Sequence, residues 1–400
     1  MTAHARFSAS ASDRWLNCPG SLALSQGHSG SSSYASAEGT MLHSLSERCL
    51  FENHDAYDYV GQEFTVDGFE FTLDDEQAGA VTQYVEYIRG FSGIKMYEVR
   101  SNYASALGLD ESEAFGTADC VIWQEEAQHL HIVDAKFGRK FVNARENRQL
   151  ILYAIGVVTT LKAVGDDPLE VTLHIVQPRV SAVPVPYTLS VEELEEYATD
   201  FARAADKAQH AIDIYRVGKE ITLLPYLVAG ESQCRWCPAK ANCPALRKEV
   251  DESMKNIPDV IAFMPSADLS KEQSKLVLIR MYCDAIETET LRRLLAGEPV
   301  DGYKMVMGRE GNRKWVDEDK TVELLATLQT TYKLPEAELW NPKKPRTLPQ
   351  IEKALKKAKV PVNLEPYQVR SPAKPTMAAA DDPREPWAPN AAVDEEFDAC

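Results

Sequence analysis

The chain has 400 residues, 44% of them hydrophobic and 26% charged, with a formal net charge of −18. This composition excludes disordered and fibrous classes, and the length leaves room for one large domain or two ordinary ones. The acidic balance weighs at first against a nucleic-acid partner, because duplex binding draws much of its affinity from Lys and Arg set against phosphates. In chain order, Met1 to Ser36 is rich in Ser, Ala and Gly, but Asp13 is placed to cap a short helix that Pro19-Gly20 ends. Met41, Leu42, Leu45 and Leu50 follow helical spacing over 38–51, and 63–73 reads as a hairpin turning at Asp67-Gly68. A second helix covers about 75–88. Strands are expected at 94–102, 116–123 and 129–137, then a long amphipathic helix at 146–161 and a strand at 169–176.

Ser190 and Glu193 make a capping box for a helix running to about Tyr215, which leads into a cysteine cluster. After Glu252 the texture changes: a helical stretch at 270–295, a β-like segment at 302–306, and a Lys/Pro-rich region from Lys333 to Lys374. A boundary is therefore expected near 251–258. The domains are read as 1–255, a metal-binding α/β domain, 256–375, an accessory α/β region with a basic segment, and 376–400, a disordered acidic tail. The fold class is α/β, with a mixed central sheet flanked by helices. The longest apolar run, Leu150 to Val158, falls far short of the ~20 residues a bilayer span needs, and no signal peptide is evident, so a cytoplasmic protein without membrane contact is expected.

The chemistry concentrates in Gly116-Thr117-Ala118-Asp119 and Val133-Asp134-Ala135-Lys136, each at the edge of an expected strand. Asp119, Asp134 and the carbonyl of Ala135 are oxygen donors suited to a hard divalent cation, Mg²⁺ or Mn²⁺. Such an ion polarises a phosphoryl oxygen and acidifies water. Strand alternation puts Asp134 and Lys136 on one face, where the ammonium can orient an attacking water or meet developing charge. Taken alone, Asp-x-Lys reads more simply as a surface salt bridge. On the following helix Arg145, Gln149 and Tyr153 line one stripe, a cation, an amide and a phenol that suit phosphate contacts or, equally, a solvated face.

Together, Gly39-x-x-x-His43, Gly116-x-x-Asp119, Asp134-x-Lys136 and Gln149-x-x-x-Tyr153, in that order, resemble the motif series of RecB-like nucleases of the PD-(D/E)XK superfamily, over roughly residues 5 to 250. The resemblance implies a restriction-endonuclease-like core. It also implies that Asp119, Asp134 and His43 bind catalytic metal, Lys136 assists the water, and Gln149 and Tyr153 position a DNA strand. Asp134 stands where many members have Glu, one methylene longer. Beyond Asp251, the segments Gly302 to Val306, Asn312 to Trp315 and Lys374-Pro375-Thr376 resemble the C-terminal part of a phage and prophage family built on the same core.

Eight cysteines are too few for a disulfide framework in a reducing compartment. Cys234, Cys237 and Cys243 form C-x2-C-x5-C, and the distant Cys18 completes four thiolates, which suit zinc or an iron–sulfur cluster. The one-then-three order flanking the nuclease motifs resembles the iron–sulfur staple of AddB-like nucleases, which implies a [4Fe-4S] cluster, with structural Zn²⁺ as the alternative. Cys49, Cys120, Cys283 and Cys400 read as ordinary thiols, the first three buried.

Several residues have plainer readings. His129 and His131 fall on the strand face opposite Asp134 and read as half-exposed structural residues. Glu47 pairs by default with His43 at i+4, and Trp15 and Trp236 read as packing around the cysteines. The segment from Lys333 to Lys374 tracks a phosphate backbone or is a solvated face. The charge itself is unevenly spread: 51–88 carries ten acids and no Lys or Arg, whereas 134–148 carries five basic residues and two acids. A confined DNA footprint thus survives the overall balance. The leading expectation is a metal-dependent DNA nuclease, an exonuclease above an endonuclease, working in replication, recombination or end processing beside a separate recombination, helicase or single-strand-binding protein. A catalytically silent DNA-binding scaffold of the same fold is the alternative. A zinc-stabilised regulatory protein would need the motif order to be coincidence.

Overall fold

The computed structural model describes residues 5–28, 33–181, 183–216, 220–255, 264–308, 313–315, 317–341, 344–345, 348–370, 375–379, 382 and 384–387. They divide into two compact units, 1–285 and 286–400, a division that falls later than the 251–258 span marked by the change in texture. In the first unit, short helices α1 (Ser12–Asn17) and α2 (Ser21–Leu24) precede the long α3 (Tyr34–Glu52). The hairpin β1 (Glu63–Val66) and β2 (Phe69–Thr72) turns at Asp67 and Gly68, both at positive φ, as an Asp-Gly turn requires. Helix α4 (Asp75–Arg89) starts in a capping box made by Asp74 and Gln77. Next come β3 (Ile94–Asn102), α5 (Ala104–Leu107), β4 (Phe115–Gln124), β5 (His129–Ala135), α6 (Arg148–Val164), β6 (Glu170–Val176), β7 (Tyr187–Ser190) and α7 (Val191–Arg216). Helices α8 (Glu231–Arg235), α9 (Pro244–Lys255) and α10 (Ser266–Leu295) follow.

Strands β3 to β7 form one mixed sheet in sequence order, with β5 and β6 parallel and every other neighbouring pair antiparallel. The β5–α6–β6 crossover is what a parallel pair needs. Leu130 and Ile132 of β5 join a core with α6 and α7, whereas Val133 and Ala135 join one with α3 and α4. The sheet is thus covered on both faces, and its central strands read as nearly continuous apolar runs. Helix α6 approaches the sheet closely: Ser101 Oγ donates to the Tyr153 carbonyl at 2.8 Å, and a Cβ on Gly156 would lie 2.9 Å from the Asn102 backbone.

Two sequence expectations need correction here, and one element was missed. Asp13 is not a cap, because a 3₁₀ turn at Ala9–Ala11 starts the helix at Ser12 and leaves Asp13 within its first turn. Strand β7 escaped notice, being four residues with only Leu189 fully buried. Helix α6 starts at Arg148, where the Asn147 side chain accepts from Leu150 N–H, so Arg145 lies outside it.

The second unit holds β8 (Tyr303–Met307), β9 (Arg313–Trp315), α11 (Glu318–Tyr332), α12 (Glu336–Leu339), β10 (Trp340–Asn341), β11 (Lys344–Pro345), α13 (Leu348–Ala358), β12 (Gln368–Arg370) and β13 (Pro375–Ala379). Leu325, Leu328, Leu339, Ile351 and Leu355 form its core, so the Lys/Pro-rich stretch contributes packed helices. Residues 376–379, assigned by sequence to a disordered tail, pair with β8 instead. Residues 388–400, including Cys400, lie outside the described residues.

Candidate active site

Pairing between β4 and β5 ends at Cys120 and Val133. Beyond that pair the two strands each carry one carboxylate, Asp119 and Asp134. Asp119 Oδ2 accepts from Ala135 N–H at 2.8 Å and stands 3.4 Å from His43 Nδ1, which α3 supplies. The His43 ring rests edge-on against Phe137. Asp134 is buried, and its Oδ2 lies 2.7 Å from Lys136 Nζ. Lys136 also donates to Gln149 Oε1 at 3.2 Å, and Gln149 Nε2 faces Tyr153 Oη at 3.1 Å and Asp134 Oδ1 at 3.4 Å. His43, Asp119, Ala135, Asp134, Lys136, Gln149 and Tyr153, drawn from four elements, therefore form one connected group.

The motif glycines differ in what they do. A Cβ on Gly116 would lie 2.7 Å from Tyr153 Cε1, so the missing side chain is what lets that ring lie over β4. Around Gly39 nothing stands within 4 Å, so one face of α3 is left open a turn before His43.

The electrostatics are those of crowded negative charge. Burial first, then the neighbouring Asp134, push the Asp119 carboxyl above its usual range, against the pull of His43, the Ala135 N–H and Lys136. Burial opposes charge on Lys136, but Asp134 and Asp119 outweigh it and hold the ammonium above its ordinary pKa. Lys136 thus occupies the position of a counter-ion to Asp134. The Tyr84 hydroxyl, buried and with no hydrogen-bond partner among the described residues, feels both acids. Among the described residues no three His, Cys, Asp or Glu groups already stand in a metal-ligating arrangement. Paired carboxylates carrying more negative charge than their neighbours neutralise, with an orphaned hydroxyl nearby, nevertheless fit a hard divalent cation.

Sequence reasoning missed Glu98. It stands across from Asp119, between the Tyr97/Cys120 and Val99/Ala118 pairs, at φ +49. Partial desolvation, Asp119, Glu47 and Asp134 push its carboxyl up to about 7 although part of the residue meets solvent. No spacing signals it; only the left-handed backbone marks it. Glu47 accordingly adds to the acid cluster. Arg145, expected beside Gln149 and Tyr153, is instead exposed beside Glu146 and near the Tyr187 ring.

The histidines sit on the other face of β5. His131 is buried, not half-exposed: it stacks on His129 and shares a 3.1 Å contact with His174 Nε2, whose Nδ1 meets Tyr87 Oη at 2.8 Å.

The four cysteines converge from opposite ends of the first unit. Cys18 follows α1, Cys234 lies in α8, and Cys237 and Cys243 lie between α8 and α9. Val228 N–H points at Cys18 Sγ at 3.3 Å and Gly230 N–H at Cys234 Sγ at 3.4 Å. Burial pushes the Cys18 thiol up to about 12, the Val228 N–H opposing and the other three sulfurs adding to the rise. Amide donors aimed at Cys18 and Cys234, with the other three thiols felt electrostatically at Cys18, suit metal thiolates, whose charge those amides would share. Trp15 is wholly buried, edge-on to Phe7 in the core cluster that includes Cys18, but Trp236 is 82% exposed rather than packed around the cysteines. Cys283 is exposed rather than buried, because α10 offers the cysteine region Leu278, Ile279, Met281 and Tyr282 and turns Cys283 away.

Among the described residues no helix is long and apolar enough to cross a membrane. A family model described as "Protein of unknown function (DUF2800)" matches residues 4–385.

Proposed function

The chain belongs to the DUF2800 family, and from its site we propose that it is a divalent-metal-dependent DNA nuclease with a RecB-like, restriction-endonuclease-like core, acting on DNA ends in replication, recombination or end processing. One observation carries the reading: four separate sequence motifs meet as one network in which Lys136 Nζ reaches Asp134 at 2.7 Å and Gln149 at 3.2 Å. Asp119, Asp134, the Ala135 carbonyl and His43 would hold Mg²⁺ or Mn²⁺. Bound there, the ion supplies positive charge that polarises the phosphoryl group and acidifies water.

The chain's own groups do the rest. Lys136, held by Asp134 and Gln149 at the edge of the acidic pair, is placed to set its ammonium against the attacking water and the developing phosphorane charge. Gln149 fixes the angle from which Lys136 acts, and Tyr153 anchors Gln149 from one turn further along α6. His43 reaches the Asp119 carboxylate from the α3 side at 3.4 Å. The basic 134–148 segment borders the site, while the acidic 51–88 segment discourages strands elsewhere.

End-labelled single- and double-stranded DNA, linear and circular, incubated with Mg²⁺ or Mn²⁺ tests this directly. Wild type should shorten linear strands, whereas Asp134→Asn and Lys136→Ala should be slower by about a hundredfold or more, the usual range for losing a positioned catalytic group. Equal cleavage by wild type and both variants removes the site. No cleavage by any of them, with DNA still bound, would instead indicate the silent scaffold.

A further inference from the structure

The loop between Lys136 and α6 carries a feature that the acid–lysine network does not use. Lys136 N–H donates to the Val176 carbonyl at 2.9 Å, which places Gln177 beside it at the carboxyl ends of the parallel strands β5 and β6. Gln177 is buried and grips the loop with both amide atoms: Val142 N–H donates to its Oε1 at 2.7 Å, and its Nε2 donates to the Val142 carbonyl at 2.6 Å. The residue next to that clamp is Phe141, 62% exposed, and it shares the walls of a small cavity with Ile175, Val183 and Val185. Val183 and Val185 are themselves 71% and 73% exposed. A large aromatic ring held in water on a pinned loop is costly to expose. It lies between two elements that both supply site residues, Lys136 before it and Gln149 after it.

Charge indicates what covers the ring. Arg139 and Lys140 precede Phe141; Arg139 is paired with Glu76 at 3.1 Å, and among the described residues no ion pair engages the exposed Lys140. An aromatic face with aliphatic walls beside an uncommitted ammonium is the combination that takes an unstacked base and its phosphate. A protein partner would want a broader apolar area, and a paired duplex hides its base faces. We propose that Phe141, Val183 and Val185 form a seat for one unpaired base of single-stranded DNA, with Lys140 on the adjoining phosphate, at the rim of the acidic site. The inference rests on the nuclease reading for the identity of the strand, though not on its hydrolysis.

The full-length chain is titrated, with Ca²⁺ in place of Mg²⁺, against single-stranded and blunt duplex oligonucleotides by fluorescence anisotropy. A second series carries 2-aminopurine at successive positions of the single strand. Phe141→Ala should weaken single-strand binding about tenfold and Phe141→Trp should retain it, the range expected of one base–aromatic stack, with duplex binding changed less than about twofold. Wild type should quench 2-aminopurine at one position, and Phe141→Ala should restore its emission. Val183→Ser serves as a second variant with an expected loss of about threefold. Because all three side chains are exposed, unchanged melting temperatures should accompany these losses. The seat is overturned if Phe141→Ala binds single strands like wild type, if it loses single and duplex strands equally, or if no DNA binds at all. Position-specific quenching by a wild type that cleaves nothing in Mg²⁺ or Mn²⁺ would keep the seat and refute the nuclease.

Discussion

A Cβ added at Gly116 would lie 2.7 Å from the buried ring of Tyr153, and neither partner has room to yield. Overpacking of this kind costs about 1–3 kcal/mol. It also displaces the hydroxyl that faces Gln149 and, through it, the amide that orients Lys136. Gly116→Ala should therefore lower the melting temperature by several degrees, at about 2–4 °C per kcal/mol for a unit of this size, and reduce DNA cleavage further than the stability loss accounts for. Adding Tyr153→Ala removes the clash, so the double variant should melt above Gly116→Ala plus Tyr153→Ala taken additively; strict additivity would mean that the two residues do not meet. At this scale the convergence of the candidate site was readable wherever a residue's placement depended on spacing in one strand or one helix, as for Asp134 and Lys136 or Gln149 and Tyr153. Glu98 and Gln177 were not readable. Their places depend on a left-handed backbone position in β3 and on a long-range grip on Val142, and neither leaves a periodic trace.

Between elements, the histidine group joins β5, β6 and α4, since His131 meets His174 and His174 meets Tyr87. Burial, with help from neighbouring rings, pulls the His131 pKa down to about 4 and the His174 pKa down to about 3. The unfolded chain titrates near 6.5, so it binds more protons than the folded one below that pH. Both histidines are neutral in both states at pH 7.5 and contribute no pH slope there. As pH falls from 6.5 toward 4, stability is lost, on the order of a few kcal/mol for the pair. The raised carboxyls of Asp119 and Glu98 act in the opposite sense, because a carboxylate held above its unfolded pKa is relieved by protonation. Urea midpoints measured from pH 7.5 to 4.5 separate the two: His174→Gln should flatten the acid-side decline relative to wild type. An unchanged slope would show that the buried rings are not its source. His129 and His131 were placed on the correct strand face from alternation alone, but Phe91, just beyond α4, packs on His131, and Tyr87 of α4 packs on His174; no local pattern reports that packing.

For the first unit as a whole, the decisive connection runs between its two ends. The N-terminal arm already docks through backbone, with Gly20 N–H donating to the Tyr226 carbonyl at 2.8 Å, and a Cβ on Gly20 would strike Leu227 at 2.9 Å. The proposed metal centre on Cys18, Cys234, Cys237 and Cys243 would add a second fastening there, closing a loop of more than two hundred residues. Closing so long a loop restricts the unfolded chain heavily, though the gain grows only with the logarithm of loop length. A [4Fe-4S] cluster is the proposed occupant and zinc the alternative, since four thiolates serve either. Protein purified without oxygen should absorb at about 400 nm and contain iron; a colourless protein holding one zinc would decide for zinc. Cys18→Ser and Cys234→Ser should each lose the metal and melt lower by a similar amount, and the double variant should melt no lower than either, because all four sulfurs act through one group. A Cys18→Ser protein that keeps the wild-type metal content would exclude Cys18 and leave the three clustered thiols to find another partner.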